Sequence, residues 1–172
     1  MKSITVLIIS ILLMVGCKAK KELATVSPLD LEQYRGTWYE IARFDHSFEK
    51  NLSCVSATYT IREDGKVDVL NKGYNTKKEK WSEANGIAKV PNAEKPGEIK
   101  VSFFRPFYGD YFVMKLDKDY KHVLVGSPTR KFLWVLSRTK TMSQEVYANY
   151  INFAEGKGFD TSKLMKVAQV CK

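Results

Sequence analysis

Few side chains in this sequence are placed to do chemistry. The two histidines, His46 and His122, lie far apart, and His46 directly follows Asp45, which would provide half of a proton relay. A solvated Asp–His pair on an exposed loop is the simpler interpretation. The sequence has no set of residues with metal-ligand spacing, no closely spaced pair of carboxylates on one strand face and no glycine-rich phosphate loop. The sequence therefore predicts neither catalysis nor a metal or other cofactor.

The three cysteines have different expected fates. Residues 4–15 are apolar apart from Thr5 and Ser10, and they lead into "LMVGC", which resembles the bacterial lipobox. We therefore expect a signal peptide over residues 1–16 and a lipidated Cys17, carrying acyl chains such as palmitate. Cysteines left over outside the cytoplasm usually pair, so Cys54 and Cys171 are predicted to form a disulfide.

Size and charge indicate one basic domain. Cleavage before Cys17 leaves 156 of the 172 residues, enough for one domain with a full core. The mature chain carries 27 basic and 19 acidic side chains, a formal charge of +8. This charge favours anionic partners such as phosphate head groups or fatty carboxylates, whereas a secreted chain would not meet nucleic acid. Residues 17–29 are mostly polar and are predicted to be a tether that need not be ordered.

Beyond residue 30 the sequence has the pattern of an all-β fold. Runs rich in Val, Ile, Tyr, Phe and Thr alternate with turn residues, and the Asp-Gly of "EDGK" (63–66) suits a tight hairpin. Eight strands in succession predict an antiparallel up-and-down β-barrel. The predicted strands are Thr37–Phe44, Val55–Arg62, Lys66–Tyr74, Trp81–Lys89, Glu98–Phe104, Asp110–Leu116, His122–Val125 and Phe132–Ser137.

One α-helix is predicted after the strands, over residues 141–158. Thr141 and Gln144 have capping-box spacing, and glycines follow at the end. An apolar stripe at helical spacing predicts that the helix packs on the outside of the barrel. The stripe consists of Val146, Tyr147, Tyr150, Ile151 and Ala154.

Together these features resemble the lipocalin family, and within it the bacterial outer-membrane lipoprotein lipocalins that group with apolipoprotein D. The resemblance covers about residues 30–171, which makes 30–172 the folded domain. Gly36 and Trp38 match the family's Gly-x-Trp motif, and Arg138 matches the arginine that ends the last strand. The second family motif matches "LDKDYKHVLV" only loosely, because Leu116 stands where a threonine is usual.

The resemblance implies that Trp38 closes the barrel floor with Arg138 across its indole, a structural role. Strand alternation then places Trp38, Glu40, Ala42 and Phe44 on one face, and Tyr39, Ile41 and Arg43 on the other. An inward Glu40 needs a partner, for which Lys115, the floor arginine and water are the candidates.

An eight-stranded barrel can hold one small ligand. Alternation predicts an apolar lining with two hydroxyls, below a mouth whose loops carry cations and aromatic residues; the cations are Lys78, Lys80, Arg105, Arg130 and Lys131. The candidate ligand contacts are Ala57, Tyr59, Val69, Val101, Phe103, Tyr111, Val113, Trp134 and Leu136, with Lys80 and Arg105 for an anionic head group.

These observations predict a carrier or store of fatty acids or lysophospholipids, with transport as its activity. The resemblance implies a lipid-anchored protein of the outer membrane, facing the periplasm, with a role in membrane maintenance under envelope stress. Two alternatives stay open: a lipid-modifying enzyme with Cys54 as a pocket thiol, and an interaction module whose barrel is filled. A homodimer is also left open.

Overall fold

The computed structural model describes residues 22–171. Short helices or 3-10 turns lie at Leu31–Tyr34 (α1), Ser47–Glu49 and Thr161–Lys163, and a longer helix spans Gln144–Gly156 (α2). The strands are β1 (Gly36–Phe44), β2 (Leu52–Ile61), β3 (Val67–Asn75), β4 (Lys80–Lys89), β5 (Glu98–Phe104), β6 (Phe107–Leu116), β7 (His122–Gly126), β8 (Leu133–Ser137) and β9 (Leu164–Lys166).

Strands β1 to β8 form a closed antiparallel barrel. Each strand pairs with the next along the chain, and β1 pairs with both β2 and β8, which closes the sheet. At the closure, Trp38 lies opposite Ala57 and Tyr39 lies opposite Ser137. The predicted eight-stranded up-and-down barrel is confirmed, and β9 adds a short unpredicted strand beside β1.

Apolar side chains form two cores on opposite sides of the barrel wall. The inner core fills the lower barrel with residues such as Trp38, Val113 and Val123. The outer core lies between the wall and α2, where Tyr150 and Ala154 are buried against Leu124 and Val135. The helix therefore packs on the outside, as predicted, although its N-cap is Ser143, whose hydroxyl accepts from Val146 N–H, and not Thr141.

The barrel floor is closed by Trp38 and Arg138. The guanidinium carbon of Arg138 lies 3.9 Å from the centre of the Trp38 ring, and Trp38 is fully buried. Arg138 also donates hydrogen bonds to backbone carbonyls of Gln33, Tyr34, Thr37 and Tyr120. Gly36 suits this site, since it has a φ of +90° and a Cβ there would lie 3.4 Å from Arg138 Nη1.

The C-terminal segment fills the gap where β1 and β2 separate above residue 39. Gln169 Nε2 donates to the carbonyls of Glu40 and Val55, which belong to the two diverging strands. A disulfide then joins Cys54 to Cys171, as predicted. This segment fastens the end of the chain to the barrel wall beside the mouth.

The predicted signal peptide and Cys17 lie outside the described residues. The described part of the predicted tether, 22–29, packs on the barrel. Leu23 is buried in the outer core, Val26 N–H donates to the Val113 carbonyl, and Leu29 joins the inner core. The ordered domain therefore begins before residue 30. No helix within residues 22–171 is long and apolar enough to cross a membrane.

Candidate ligand-binding site

A cavity of about 560 Å³ lies inside the upper half of the barrel. This volume is within the range of about 300–1,000 Å³ usual for small-ligand pockets. Eight residues predicted from strand alternation line it: Ala57, Tyr59, Val69, Val101, Phe103, Tyr111, Trp134 and Leu136. Phe103 and Trp134 stand at its walls and leave it open, so the barrel is not filled as the interaction-module alternative required.

Three predicted contacts do not line the cavity. Val113 points inward but is fully buried in the inner core, below the open space. Lys80, the first residue of β4, and Arg105, at the tip of the β5–β6 hairpin, are exposed and lie outside the cavity lining. Their positions at strand ends place both side chains in solvent, so the structure does not give the cavity a cationic wall.

Exposed aromatic side chains border the mouth. Phe48, Phe104 and Phe107 have exposed fractions of 62%, 78% and 72%, and all three line the cavity entrance. Phe104 pairs with Phe107 at the end of the β5–β6 hairpin. The mouth is therefore apolar where a ligand would enter.

Three tyrosine hydroxyls form a chain at the bottom of the cavity. The Tyr111 hydroxyl lies 2.8 Å from the hydroxyls of both Tyr34 and Tyr59. Burial is the largest cause that raises the pKa of all three phenols, so they stay protonated. The three hydroxyls have three O–H donors but form only two hydrogen bonds with one another. One O–H group is therefore not used within this chain of hydroxyls.

Glu40 is inward, as predicted, but its partner is Arg43. The register of β1 against β8 shifts between Glu40 and Ala42, so β1 carries one extra residue there. This bulge turns Arg43 to the same side as Glu40, and Arg43 Nη1 donates to Glu40 Oε1 over 2.7 Å. Ala42 and Phe44 move to the outer core instead. The prediction of which barrel face Ala42, Arg43 and Phe44 occupy was therefore wrong.

The other suggested partners of Glu40 are engaged elsewhere. Lys115 is outside the barrel, where its ammonium donates to Asn149 and lies over the rings of Tyr150 and Phe153. A register shift in β6 between Val113 and Lys115 gives this lysine its outward position. Arg138 stays at the floor with Trp38.

Glu49 and His46 complete a buried polar cluster that sequence reasoning missed. Glu49 lies on the loop after β1 and accepts a 3.2 Å hydrogen bond from Trp134 Nε1. His46 is not on the exposed surface as predicted, since only 7% of its side chain is accessible. Its ring stacks on Phe48 and lies 3.2 Å, Nε2 to Oε2, from Glu49. Alternation cannot find such residues, because both lie on a loop that folds inward.

Burial controls the protonation of this cluster. Loss of solvent, followed by repulsion from Glu49, raises the pKa of Glu40 to about 8 against the attraction of Arg43. Burial also raises the pKa of Glu49. Burial and the nearby Arg43 lower the pKa of His46 to about 4, so the imidazole is neutral at neutral pH.

Cys54 is not available as a pocket nucleophile. Its sulfur is bonded to Cys171, and neither residue lines the cavity. Within residues 22–171, no group of three or more His, Cys, Asp or Glu residues is arranged to hold a metal ion. A ligand in the cavity would contact apolar side chains, the hydroxyls of Tyr59 and Tyr111, and the carboxyl groups of Glu40 and Glu49.

Comparisons with known proteins agree with this architecture. A sequence profile described as a lipocalin-like domain matches residues 29–169. The outer membrane lipoprotein Blc of Escherichia coli (strain K12) is 46% identical over 160 residues, covering 91% of this chain and 90% of that protein. The protein of the same name from Vibrio cholerae serotype O1 is 44% identical over 171 residues, covering 98% and 99%.

A solved structure shows the same fold at lower identity. Insecticyanin from the tobacco hornworm Manduca sexta superposes with a TM-score of 0.68 and 21% identity, over 85% of this chain and 84% of that one. The profile match and the near full-length relatives are stronger evidence of family membership, because they rest on similarity of sequence and not of fold alone. This chain belongs to the lipocalin family.

Proposed function

We propose that this protein binds a single-chain lipid, a fatty acid or lysophospholipid, in the barrel cavity and carries or stores it. The observation that supports this most directly is the open cavity of about 560 Å³ with a mainly apolar lining and an aromatic mouth. The proposal is one of binding and not of catalysis.

The energy of such binding can be estimated from the apolar contact. Burial of a methylene contributes about 0.8 kcal/mol, so a chain of about twelve carbons contributes about 10 kcal/mol before costs. Immobilising the chain removes part of this. A micromolar dissociation constant corresponds to about 8 kcal/mol, which leaves room for that cost.

The test is to identify what the protein holds. Purified protein is extracted with organic solvent, the extract is analysed by mass spectrometry, and the lipid-free protein is titrated with single-chain lipids while its tryptophan emission is recorded. We expect co-purified lipid and a saturable response, since Trp134 lines the cavity. An empty extract together with no saturable response to any lipid would contradict the proposal.

We further propose that the protein is an outer-membrane lipoprotein anchored through Cys17, facing the periplasm, with a role in membrane maintenance under envelope stress. The lipobox-like "LMVGC" supports the anchor, as does the name of the relatives, outer membrane lipoprotein. In bacteria expressing the Cys17→Ala variant, we expect the protein to leave the outer-membrane fraction. Unchanged fractionation would show that the anchor is not this residue.

A further inference from the structure

We propose that the mouth end of the barrel is a docking surface for an anionic lipid bilayer, into which the aromatic tip of the β5–β6 hairpin inserts. The mouth end consists of the β1–β2, β3–β4, β5–β6 and β7–β8 loops and the strand ends next to them. The inference rests on the proposed function and adds the surface through which the protein exchanges its lipid.

The first argument is where large apolar side chains are exposed. Phe104 lies opposite Phe107 at the hairpin tip, and both are more than two-thirds exposed. Of the eight large apolar side chains that are exposed within residues 22–171, six lie at the mouth end: Phe48, Trp81, Phe103, Phe104, Phe107 and Tyr108. A cluster of this kind marks a protein-binding or membrane-binding surface, and aromatic rings favour the membrane interface.

The second argument is the charge around these aromatic residues. The mouth loops, residues 45–51, 76–79, 105–106 and 127–132, carry six basic and three acidic side chains. The loops at the floor end, residues 62–66, 90–97 and 117–121, carry five of each. The basic residues of the mouth loops are Lys50, Lys77, Lys78, Arg105, Arg130 and Lys131. The excess of positive charge therefore lies at the same end as the exposed aromatic rings.

Ion pairing increases this difference between the two ends. At the floor end, Arg62 and Lys66 pair with Asp64, and Lys95 pairs with Glu98. At the mouth, five of the six basic residues form no ion pair with any residue of the described chain: Lys50, Lys77, Lys78, Arg105 and Lys131. These exposed charges are available to anionic head groups, which attract clusters of lysine and arginine.

The third argument is that the cavity also opens through the barrel wall at this end. β4 pairs with β3 as far as Lys80, but its pairing with β5 ends at Ile87, opposite Ser102. The wall between β4 and β5 is therefore open from there to the mouth. Ser82 and Ala84 line the cavity and yet are exposed, because no strand covers them on this side.

This side opening leads to the aromatic hairpin. Phe103, Phe104 and Phe107 line the same cavity from the other side of the opening. The ring of Phe103 lies at the lower end of the opening, where a Cβ on Gly86 would be 2.8 Å from it. A lipid chain can thus pass from a bilayer around the hairpin tip into the cavity along an apolar path.

A bilayer suits this surface better than a second copy of the chain. In a two-fold dimer the same surface meets itself, so the unpaired cations of the mouth loops would face one another. An anionic bilayer instead offers opposite charge to the cations and an apolar interior to the rings. The surface is also separate from the proposed anchor, because Glu22, where the described chain begins, pairs with Lys95 at the floor end.

The test measures binding to vesicles without the anchor. The chain from Lys18 to Lys172, which contains every described residue, is mixed with vesicles of equal parts phosphatidylglycerol and phosphatidylcholine, or of phosphatidylcholine alone, and bound protein is recovered by flotation. We expect binding about tenfold tighter to the anionic vesicles at low salt, and weaker binding at high salt because salt screens the attraction. Phe104→Ser with Phe107→Ser should weaken binding at least tenfold, whereas Phe104→Trp should retain it.

A matched pair of double variants tests the charges. Lys77→Gln with Lys78→Gln should weaken binding to anionic vesicles at least fivefold and leave binding of dodecanoate from solution unchanged, because neither lysine lines the cavity. Lys118→Gln with Lys121→Gln, in one loop at the floor end, should leave both unchanged. Urea unfolding checks that each variant is folded. No binding to anionic vesicles, or an equal loss in the floor variant, would overturn the docking surface.

Transfer kinetics test whether lipid moves in the docked state. Protein loaded with a fluorescent fatty acid is mixed with anionic vesicles, and we expect the transfer rate to rise with vesicle concentration. Phe104→Ser with Phe107→Ser should remove this dependence, and a rate independent of vesicle concentration in the wild type would overturn exchange at the bilayer.

The remaining outcomes separate this inference from its alternatives. Self-association that Phe104→Ser with Phe107→Ser abolishes, without any vesicle binding, would identify a second copy as the occupant and overturn the docking surface. Binding of dodecanoate from solution without vesicle binding would contradict the docking surface alone. Vesicle binding by a protein that takes up no dodecanoate or lysophospholipid would support the docking surface and contradict the proposed lipid binding.

Discussion

Arg43 Nη1 and Glu40 Oε1 lie 2.7 Å apart on one strand, with only 1% and 4% of their side chains exposed. Two residues three apart on a regular strand point to opposite faces, and the bulge in β1 brings them to the same side. The same guanidinium donates hydrogen bonds to the carbonyl of Glu49, on the loop after β1, and to that of Leu52, the first residue of β2. The ion pair therefore connects the cavity wall to the loop that borders the mouth.

Removal of Arg43 should be costly. Arg43→Met would remove the hydrogen bonds that Arg43 donates to Glu40 and to the carbonyls of Glu49 and Leu52, and each buried acceptor left without a partner costs about 1–3 kcal/mol. We expect this loss in the free energy of unfolding, measured with urea. Arg62→Met is the control, because its pairs with Asp64 and Asp68 lie at the surface and should contribute little. Equal effects of the two substitutions would contradict a special role for Arg43.

The buried cluster predicts a specific dependence of stability on pH. Glu40 has a folded pKa of about 8 against an ordinary value of 4.5, so the folded protein holds a proton that the unfolded chain releases. Stability should therefore fall between pH 4.5 and 8, by at most about 1.4 kcal/mol per pH unit for one proton. Glu49, whose pKa is also raised, acts in the same direction.

His46 has the opposite effect at lower pH. Its folded pKa of about 4 is below the ordinary 6.5, so stability should rise with pH between these values. Between pH 4.5 and 6.5 the two effects on stability offset each other. Above pH 6.5 only the fall in stability caused by the carboxyl groups remains. Urea unfolding at pH 6.5 and 8 should show a decline that Glu40→Gln reduces and Glu83→Gln does not. Parallel profiles for wild type and Glu40→Gln would contradict the prediction.

The floor residues should act on folding and not on recognition. Trp38→Ala removes a fully buried indole, which should cost about 3–5 kcal/mol, and Arg138→Ala should also lower thermal stability. Trp81→Ala is the control for the first, because Trp81 is 45% exposed on β4. Wild-type stability combined with lost ligand affinity in Trp38→Ala would mean that the wrong end of the barrel was assigned as closed.

The sequence predicted the barrel well because its strands alternate regularly. Tyr59, Val69 and Val101 face the cavity as alternation requires, and the resemblance to lipocalins correctly implied that Trp38 and Arg138 lie together at the floor. Alternation fails where a strand gains a residue, as at Glu40 and Arg43, because nothing in "YEIARF" marks the bulge. It also says nothing about loops, which is why the burial of His46 and Glu49 was not predicted.

The disulfide should stabilise the fold mainly by reducing the conformational entropy of the unfolded chain. Cys54 and Cys171 are separated by 117 positions, and closure of so long a loop is worth at most about 5 kcal/mol in the chain-entropy model. We expect the unfolded, unreduced protein to resist alkylation at both cysteines, and Cys54→Ser with Cys171→Ser to unfold at lower urea. Stoichiometric labelling without reductant would contradict the disulfide and reopen Cys54 as a nucleophile.

The tyrosine chain at the cavity bottom should be most sensitive at its centre. Tyr111→Phe breaks two hydrogen bonds and leaves the hydroxyls of Tyr34 and Tyr59 unpaired, whereas Tyr34→Phe breaks only one. A buried polar group without a partner costs about 1–3 kcal/mol, so Tyr111→Phe should destabilise more than Tyr34→Phe in urea unfolding. Tyr39→Phe is the control, since its ring faces the outer surface near Lys140. Because Tyr59 borders the cavity, water can replace part of its lost bond, but Tyr34 is only 3% exposed and cannot be compensated in this way. Equal stability of Tyr111→Phe and Tyr39→Phe would show that the three hydroxyls do not form a connected chain.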